Sequence, residues 1–154
     1  MAALGWRLRD IGFGPSRTGY RRALALWCGV PIAVYVAALA LGHGTLGALV
    51  HRTMIDVFRN GFAEEILFRG IVLRLTASAF GLSAGNVVQA LLFGCWHLGA
   101  DLRDVGGNPA LALLDGIATQ SLFGYVMGLL TLRTGNVVVA GVVHALADAA
   151  QALR

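Results

Sequence analysis

Residues 23–41, ALALWCGVPIAVYVAALAL, decide the fold. The chain carries no Asp, Glu, Lys or Arg from position 23 through position 51. A bilayer core takes roughly 20 apolar helical residues to cross, so this run reads as a membrane-spanning helix. Ala38-Leu39-Ala40 has the small-residue pattern of a signal-peptidase site, but the leader of 22 residues and the long apolar core suit an uncleaved anchor better than a cleaved signal. Arg7, Arg9, Arg17, Arg21 and Arg22 make residues 1–22 a basic N-terminal segment, and basic flanks predict a cytoplasmic N-terminus.

Composition extends that reading to the rest of the 154 residues. Hydrophobic types make up 57% and charged types 13%, where soluble chains carry about 25% charge, and the mean hydropathy is +0.72. The net charge of +4 comes from scattered arginines, not from a basic stripe interleaved with aromatics, so nucleic acid is not an expected partner. Cys28 and Cys95 lie in apolar runs outside any CxxC pair and read as buried small hydrophobes, neither disulfide nor metal ligand.

After the Gly81-Leu82-Ser83 break a second helix is expected over about 84–99, then a loop over 101–109. Residues 110–132 form a further span interrupted only by Asp115. Arg133-Thr134-Gly135 makes a turn, and 136–153 a closing helix. Gly124 and Gly128 are spaced for close helix approach. The expected fold is all-α, a polytopic transmembrane bundle of about five spans, with one membrane-embedded domain over 23–154.

Residues 54–75, MIDVFRNGFAEEILFRGIVLRL, are apolar enough to span yet hold Glu64, Glu65 and Arg69 near the middle. Ionisable groups at bilayer depth cost roughly 2.5 to 3.5 kcal/mol each, so they face the bundle interior and mark function. At 100° per residue, Asn60, Glu64 and Phe68 share a stripe, while Glu65 and Arg69 lie a residue further round as an i, i+4 pair. Asn86, Gln89, Phe93 and His97 form a second stripe, and His144, Asp148 and Gln151 a third. For a lone His or Asn in a bundle, a satisfied interhelical hydrogen bond is the commoner role. A Glu, two His and an Asp on three such stripes favour chemistry. The residues allow two forms of it: a His/His/carboxylate metal site, with Glu64, His97 and His144 as ligands, or direct activation of water by carboxylate and imidazole. HExxH is absent from the sequence.

These residues resemble the CPBP family of intramembrane proteases, which includes CAAX prenyl endopeptidases and bacteriocin-processing or self-immunity (Abi) proteins. Its motifs EExxxR, FxxxH and HxxxN/D read here Glu64-Glu65-Ile66-Leu67-Phe68-Arg69, Phe93-Gly94-Cys95-Trp96-His97 and His144-Ala145-Leu146-Ala147-Asp148, in order. The segments AEEILFRG at 63–70 and LLTLRTGN at 129–136 add to the likeness, which covers about 62–149.

The resemblance implies a metalloprotease-like or metal-free endopeptidase of CAAX prenyl protease type, an integral multi-pass protein of a bacterial cell membrane. It implies Glu64 as general base, His97 as its partner in positioning water, and His144 with Asp148 facing the oxyanion or a metal. Glu65, Arg69 and Phe93 would support the motif helices. Asp148 stands where the eukaryotic enzymes carry Asn, and an ionised Asp cannot donate to an oxyanion. The expected cofactor is Zn²⁺ or another divalent ion, or none, and the expected partners are membrane lipid and a peptide or protein substrate. The other class of function is a non-catalytic immunity or scaffold protein that binds peptide with the same polar core. Five spans from a cytoplasmic N-terminus place Arg74 and Arg133 inside and the motif residues nearer the opposite face, whereas CAAX processing faces the cytosol. Either the span count differs by one or the substrate is not a prenylated protein.

Overall fold

In a computed structural model, which describes residues 5–16 and 20–149, most of these residues are helical and no β-strand occurs among them. Arg17 and Gln151, named above, lie outside the described residues. The helices are α1 (Tyr20–Ala40), α2 (Leu46–Asp56), the short α3 (Phe62–Glu65), α4 (Leu73–Phe80), α5 (Leu82–Asp104), α6 (Pro109–Asp115), α7 (Leu122–Thr134) and α8 (Val137–Ala149). Wider turns of i→i+5 type bracket α3 at Val57–Gly61 and Ile66–Val72, and another, Gly116–Ser121, joins α6 to α7. Such turns are rare and collect at functional sites.

The break expected near Gly81 is present, with a φ of 82° that a glycine takes without strain. The loop expected over 101–109 is shorter, because α5 runs on to Asp104. Asn108 then starts α6, its side chain accepting from the amides of Ala110 and Leu111 ahead of Pro109 at the first turn. Cys95, expected to be buried, is exposed on α5, and Cys28 is half-buried.

Pro109–Thr134, 26 residues, is the one helix among the described residues long and apolar enough to cross a membrane. Ala25–Ala40 and Val137–Ala149 are shorter apolar helices. Side chains are distributed inside-out relative to a water-soluble chain. Glu65, Arg69, Asn86, Gln89, Asp101 and His144 are buried, while Leu26, Val30, Trp96, Leu114 and Leu122 are exposed. A chain solvated by hydrocarbon has this pattern, because polar groups must find partners inside and apolar ones need no shelter.

The helices fall into two compact units, one of residues up to 67 together with those from 130, the other of residues 68–129. In the first, Tyr35 of α1, Leu49 of α2 and Ala149 of α8 form a small core with Leu39 and Leu146 packed on it. The N-terminal segment docks on the start of α8: the Val137 amide donates to the Gly12 carbonyl at 2.9 Å, and Phe13 bridges to Asn136. Asn136 ties both together, its Oδ1 accepting from the Val138 amide at 2.7 Å and its Nδ2 donating to the Gly14 carbonyl at 2.9 Å. Asn136→Ala removes a helix cap and this tether, and should cost about 1 to 2 kcal/mol in a denaturant titration. A loss under a few tenths would mean that the segment stays docked without it. In the second unit α4 packs on α5, and α5 on the Gly116–Ser121 turn.

Candidate active site

Two glycines bring the first motif to α8. A Cβ on Gly61 would lie 2.9 Å from the Gly141 carbonyl oxygen, and one on Gly141 would lie 3.3 Å from the Phe62 ring. With no side chain between them the backbones meet, and one turn further along each helix come Glu64 and Glu65 on one side and His144 on the other.

His144 is 4% exposed and uses both ring nitrogens. Its Nδ1 lies 2.8 Å from Oε1 of Glu65, itself fully buried. Its Nε2 lies 3.6 Å from Oδ2 of Asp148, one turn on along α8, and 4.0 Å from Oε2 of Glu64. An ionised carboxylate only accepts, so the proton of the neutral ring sits on Nδ1 and donates to Glu65. Nε2 is then the nitrogen turned toward Glu64 and Asp148. A carboxylate behind an imidazole in this way fixes its tautomer and ring orientation.

The helical arithmetic assigned Glu64 to His144 and Glu65 to Arg69. In the structure the shortest carboxylate contact of His144 is with Glu65. Two residues 100° apart on one helix do point in different directions, but an imidazole offers two nitrogens on different edges and can meet one carboxylate with each.

The second unit holds Arg69, Phe93 and His97. Arg69 is fully buried, donates from Nη2 to the Gly124 carbonyl at 3.2 Å, and lies over the Phe93 ring at 4.3 Å. Phe93 meets Phe68 edge-on, centroids 5.0 Å apart. Gln89 also donates to the Gly124 carbonyl at 2.9 Å, and Asn86 donates to the Tyr125 carbonyl at 3.1 Å. These two amides of the second stripe therefore tie α5 to α7, the interhelical role. His97 Nδ1 lies 2.9 Å from the Phe93 carbonyl oxygen. A carbonyl cannot donate, so Nδ1 carries the proton in this contact.

Residues 46–150 match the family described as type II CAAX prenyl endopeptidase, Rce1-like. The chain belongs to this family. The match opens at the start of α2 and includes all three motifs of this Rce1-like family, and with them both clusters just described. Type II CAAX prenyl endopeptidases are membrane-embedded proteases, which agrees with the inside-out burial of the helices. No curated protein and no solved structure matches the chain.

Among the described residues no group of three or more His, Cys, Asp or Glu side chains is arranged to hold a metal ion, and no step below runs through one. The sequence reading passed over Asp101, which it placed in a loop. It is 2% exposed and lies one turn beyond His97. The signal was its spacing: His97-Leu98-Gly99-Ala100-Asp101 repeats the His-x-x-x-Asp of residues 144–148.

Proposed function

We propose that this chain is an intramembrane endopeptidase that hydrolyses prenylated CAAX-type peptides with a water activated by Glu64 and His144, within a bundle of about five membrane-spanning helices. The observation that carries the reading is the His144 imidazole, anchored through Nδ1 on Glu65 with Nε2 directed at Glu64 and Asp148. A separation of 4.0 Å between Nε2 and Glu64 is too long for a direct hydrogen bond and suits a bridging water.

Glu64 takes a proton from that water as its oxygen attacks the scissile carbonyl carbon. The proton then passes to the leaving amine nitrogen as the C–N bond breaks, and Glu64 is returned to its carboxylate form. Charge that develops on the carbonyl oxygen needs a donor. His144, when protonated, supplies one from Nε2, with Glu65 and Asp148 stabilising the imidazolium, so Asp148 in place of Asn acts through the ring and not on the oxyanion.

The test uses the purified full chain in liposomes with a farnesylated CAAX peptide, the same peptide without the lipid, and mass spectrometry of the products. The expected result is loss of the residues that follow the farnesylated cysteine, faster than from the unmodified peptide and absent in Glu64→Gln. A wild-type chain that binds the peptide but cleaves neither form would replace the hydrolase with the peptide-binding scaffold.

A further inference from the structure

We infer that Arg52, held in place by Asp56, binds the free C-terminal carboxylate of the peptide and so sets which bond reaches Glu64. The inference rests on the proposed function for the substrate, but not for where Arg52 lies. Asp56 closes α2 and is 1% exposed. A carboxylate is kept away from water only where hydrogen bonds or an opposite charge compensate its desolvation. Arg52, one turn earlier, supplies both: its Nε donates to Asp56 Oδ2 at 3.1 Å.

The arginine is not itself buried, its side chain being 46% exposed. Only Nε is engaged, and among the described residues neither NH₂ group of the guanidinium has a hydrogen-bond partner. These two groups form a planar fork that matches a carboxylate in bidentate fashion. The buried aspartate holds the fork in advance, which lowers the entropy lost when a ligand binds. The terminal carboxyl group of a peptide has a pKa of about 3.3 to 3.7, so it arrives ionised at neutral pH.

Helix α2, the wide turn and α3 follow one another without a gap from Leu46 to Glu65, and Arg52, Asp56, Asn60 and Glu64 recur along them every four residues. At 3.6 residues per turn such a row drifts by about 40° at each step. An i→i+5 turn winds less per residue, so the one at Val57–Gly61 opposes that drift between Asp56 and Glu64. At 1.5 Å per residue Asp56 and Glu64 stand about 12 Å apart along the axis, and the bond to Asp56 draws the guanidinium toward the Glu64 end. Three extended residues span at most about 10 to 11 Å, and one hydrogen bond adds about 3 Å. A CAAX peptide cut after its cysteine has three residues between the scissile bond and its terminal carboxylate. The spacing from Glu64 to the arginine thus measures the length of the fragment released.

The experiment uses the purified full chain in nanodiscs and three farnesylated peptides: a CAAX peptide ending in the free acid, the same peptide ending in an amide, and the acid lengthened by one residue. The wild type should cleave the acid with a kcat/KM about 10- to 100-fold above that for the amide, the scale of hydrogen bonds to a charged group, and the lengthened acid should also be slower. Arg52→Gln should bring the acid-to-amide ratio to within about three-fold of unity. Arg52→Lys, which keeps the charge but not the fork, should retain part of the ratio. Arg59→Gln, at an exposed position one residue off the row, should keep the wild-type ratio. Each ratio is read within one variant, so a smaller folded fraction cancels. Equal rates of the wild type on acid and amide would overturn the inference, and so would an undiminished ratio in Arg52→Gln, which would leave Arg52 to Asp56 and to lipid phosphate. If that variant does not fold, an undiminished ratio in Arg52→Lys does the same. A wild type that cleaves none of the peptides removes the hydrolase reading, and the same comparison is then read as binding of fluorescent forms of the acid and the amide. Tighter binding of the acid to the wild type, lost in Arg52→Gln, would keep Arg52 as the carboxylate receptor, and equal binding would remove it.

Discussion

Glu65→Gln should lower kcat on the farnesylated peptide by about 10⁴-fold in a chain that remains folded, the scale of loss seen when the carboxylate behind a catalytic imidazole becomes an amide. The carboxylate at position 65 can only accept, which keeps the His144 proton on Nδ1. A glutamine can turn its NH₂ toward Nδ1, and the ring then carries its proton on Nε2, the atom that faces Glu64 and Asp148. It also removes the negative charge that stabilises the imidazolium. Glu64→Gln acts differently, by deleting the base, and should cost about 10² to 10⁴-fold. Nitrogen chemical shifts of the His144 ring separate the two: the tautomer should change in Glu65→Gln and not in Glu64→Gln. Near-native activity in Glu65→Gln, with activity lost in Glu64→Gln, would make Glu65 a brace for the motif helix and nothing more.

Helix positions were legible because each depends on local signals. The glycine at 81 with its left-handed φ, the Asn108-Pro109 start and the turn at Gly135 all interrupt apolar runs where the sequence says they should. The polar stripes were legible too, since Asn86, Gln89 and Phe93 are all buried. What a single helix cannot encode is which neighbour meets its face. Glu65 was paired in sequence with Arg69 because four residues separate them. Its bond to His144 depends on the approach of Gly61 to Gly141, a contact 80 positions apart in the chain, as the numbers 61 and 141 show. The i→i+5 turns around α3 and after α6 are likewise set by packing, and no residue type announces them. Asp101 was missed for the opposite reason: a charged residue at the end of an apolar run reads as the exit to water, and only the buried surface of the Gly116–Ser121 turn makes it interior.

Gly94→Ala should destabilise the chain by about 3 kcal/mol, the upper part of the range for overpacking a filled interface. A Cβ at Gly94 would overlap Ser121 Oγ and the Gly116 carbonyl oxygen, and lie 3.2 Å from the Gly116 carbonyl carbon. The serine could rotate, at the cost of the hydrogen bond it donates to that carbonyl at 2.8 Å. The carbonyl is backbone inside a helical turn and has no rotamer to change, so the turn has to move away from α5. Gly99, five residues along the same helix, has no atom within 4 Å of its added Cβ. Gly99→Ala should therefore gain up to about 1 kcal/mol, because alanine loses less backbone entropy in a helix. Unfolding in detergent, followed by circular dichroism, reads both variants on one scale. The pair also bears on chemistry, because Gly94 lies three residues before His97 and its contact Gly116 packs against Asp101. Displacing the turn should lower activity beyond what the fraction unfolded explains. Equal stabilities for the two alanine variants would mean that α5 and the turn do not meet as closely as the glycine at 94 requires.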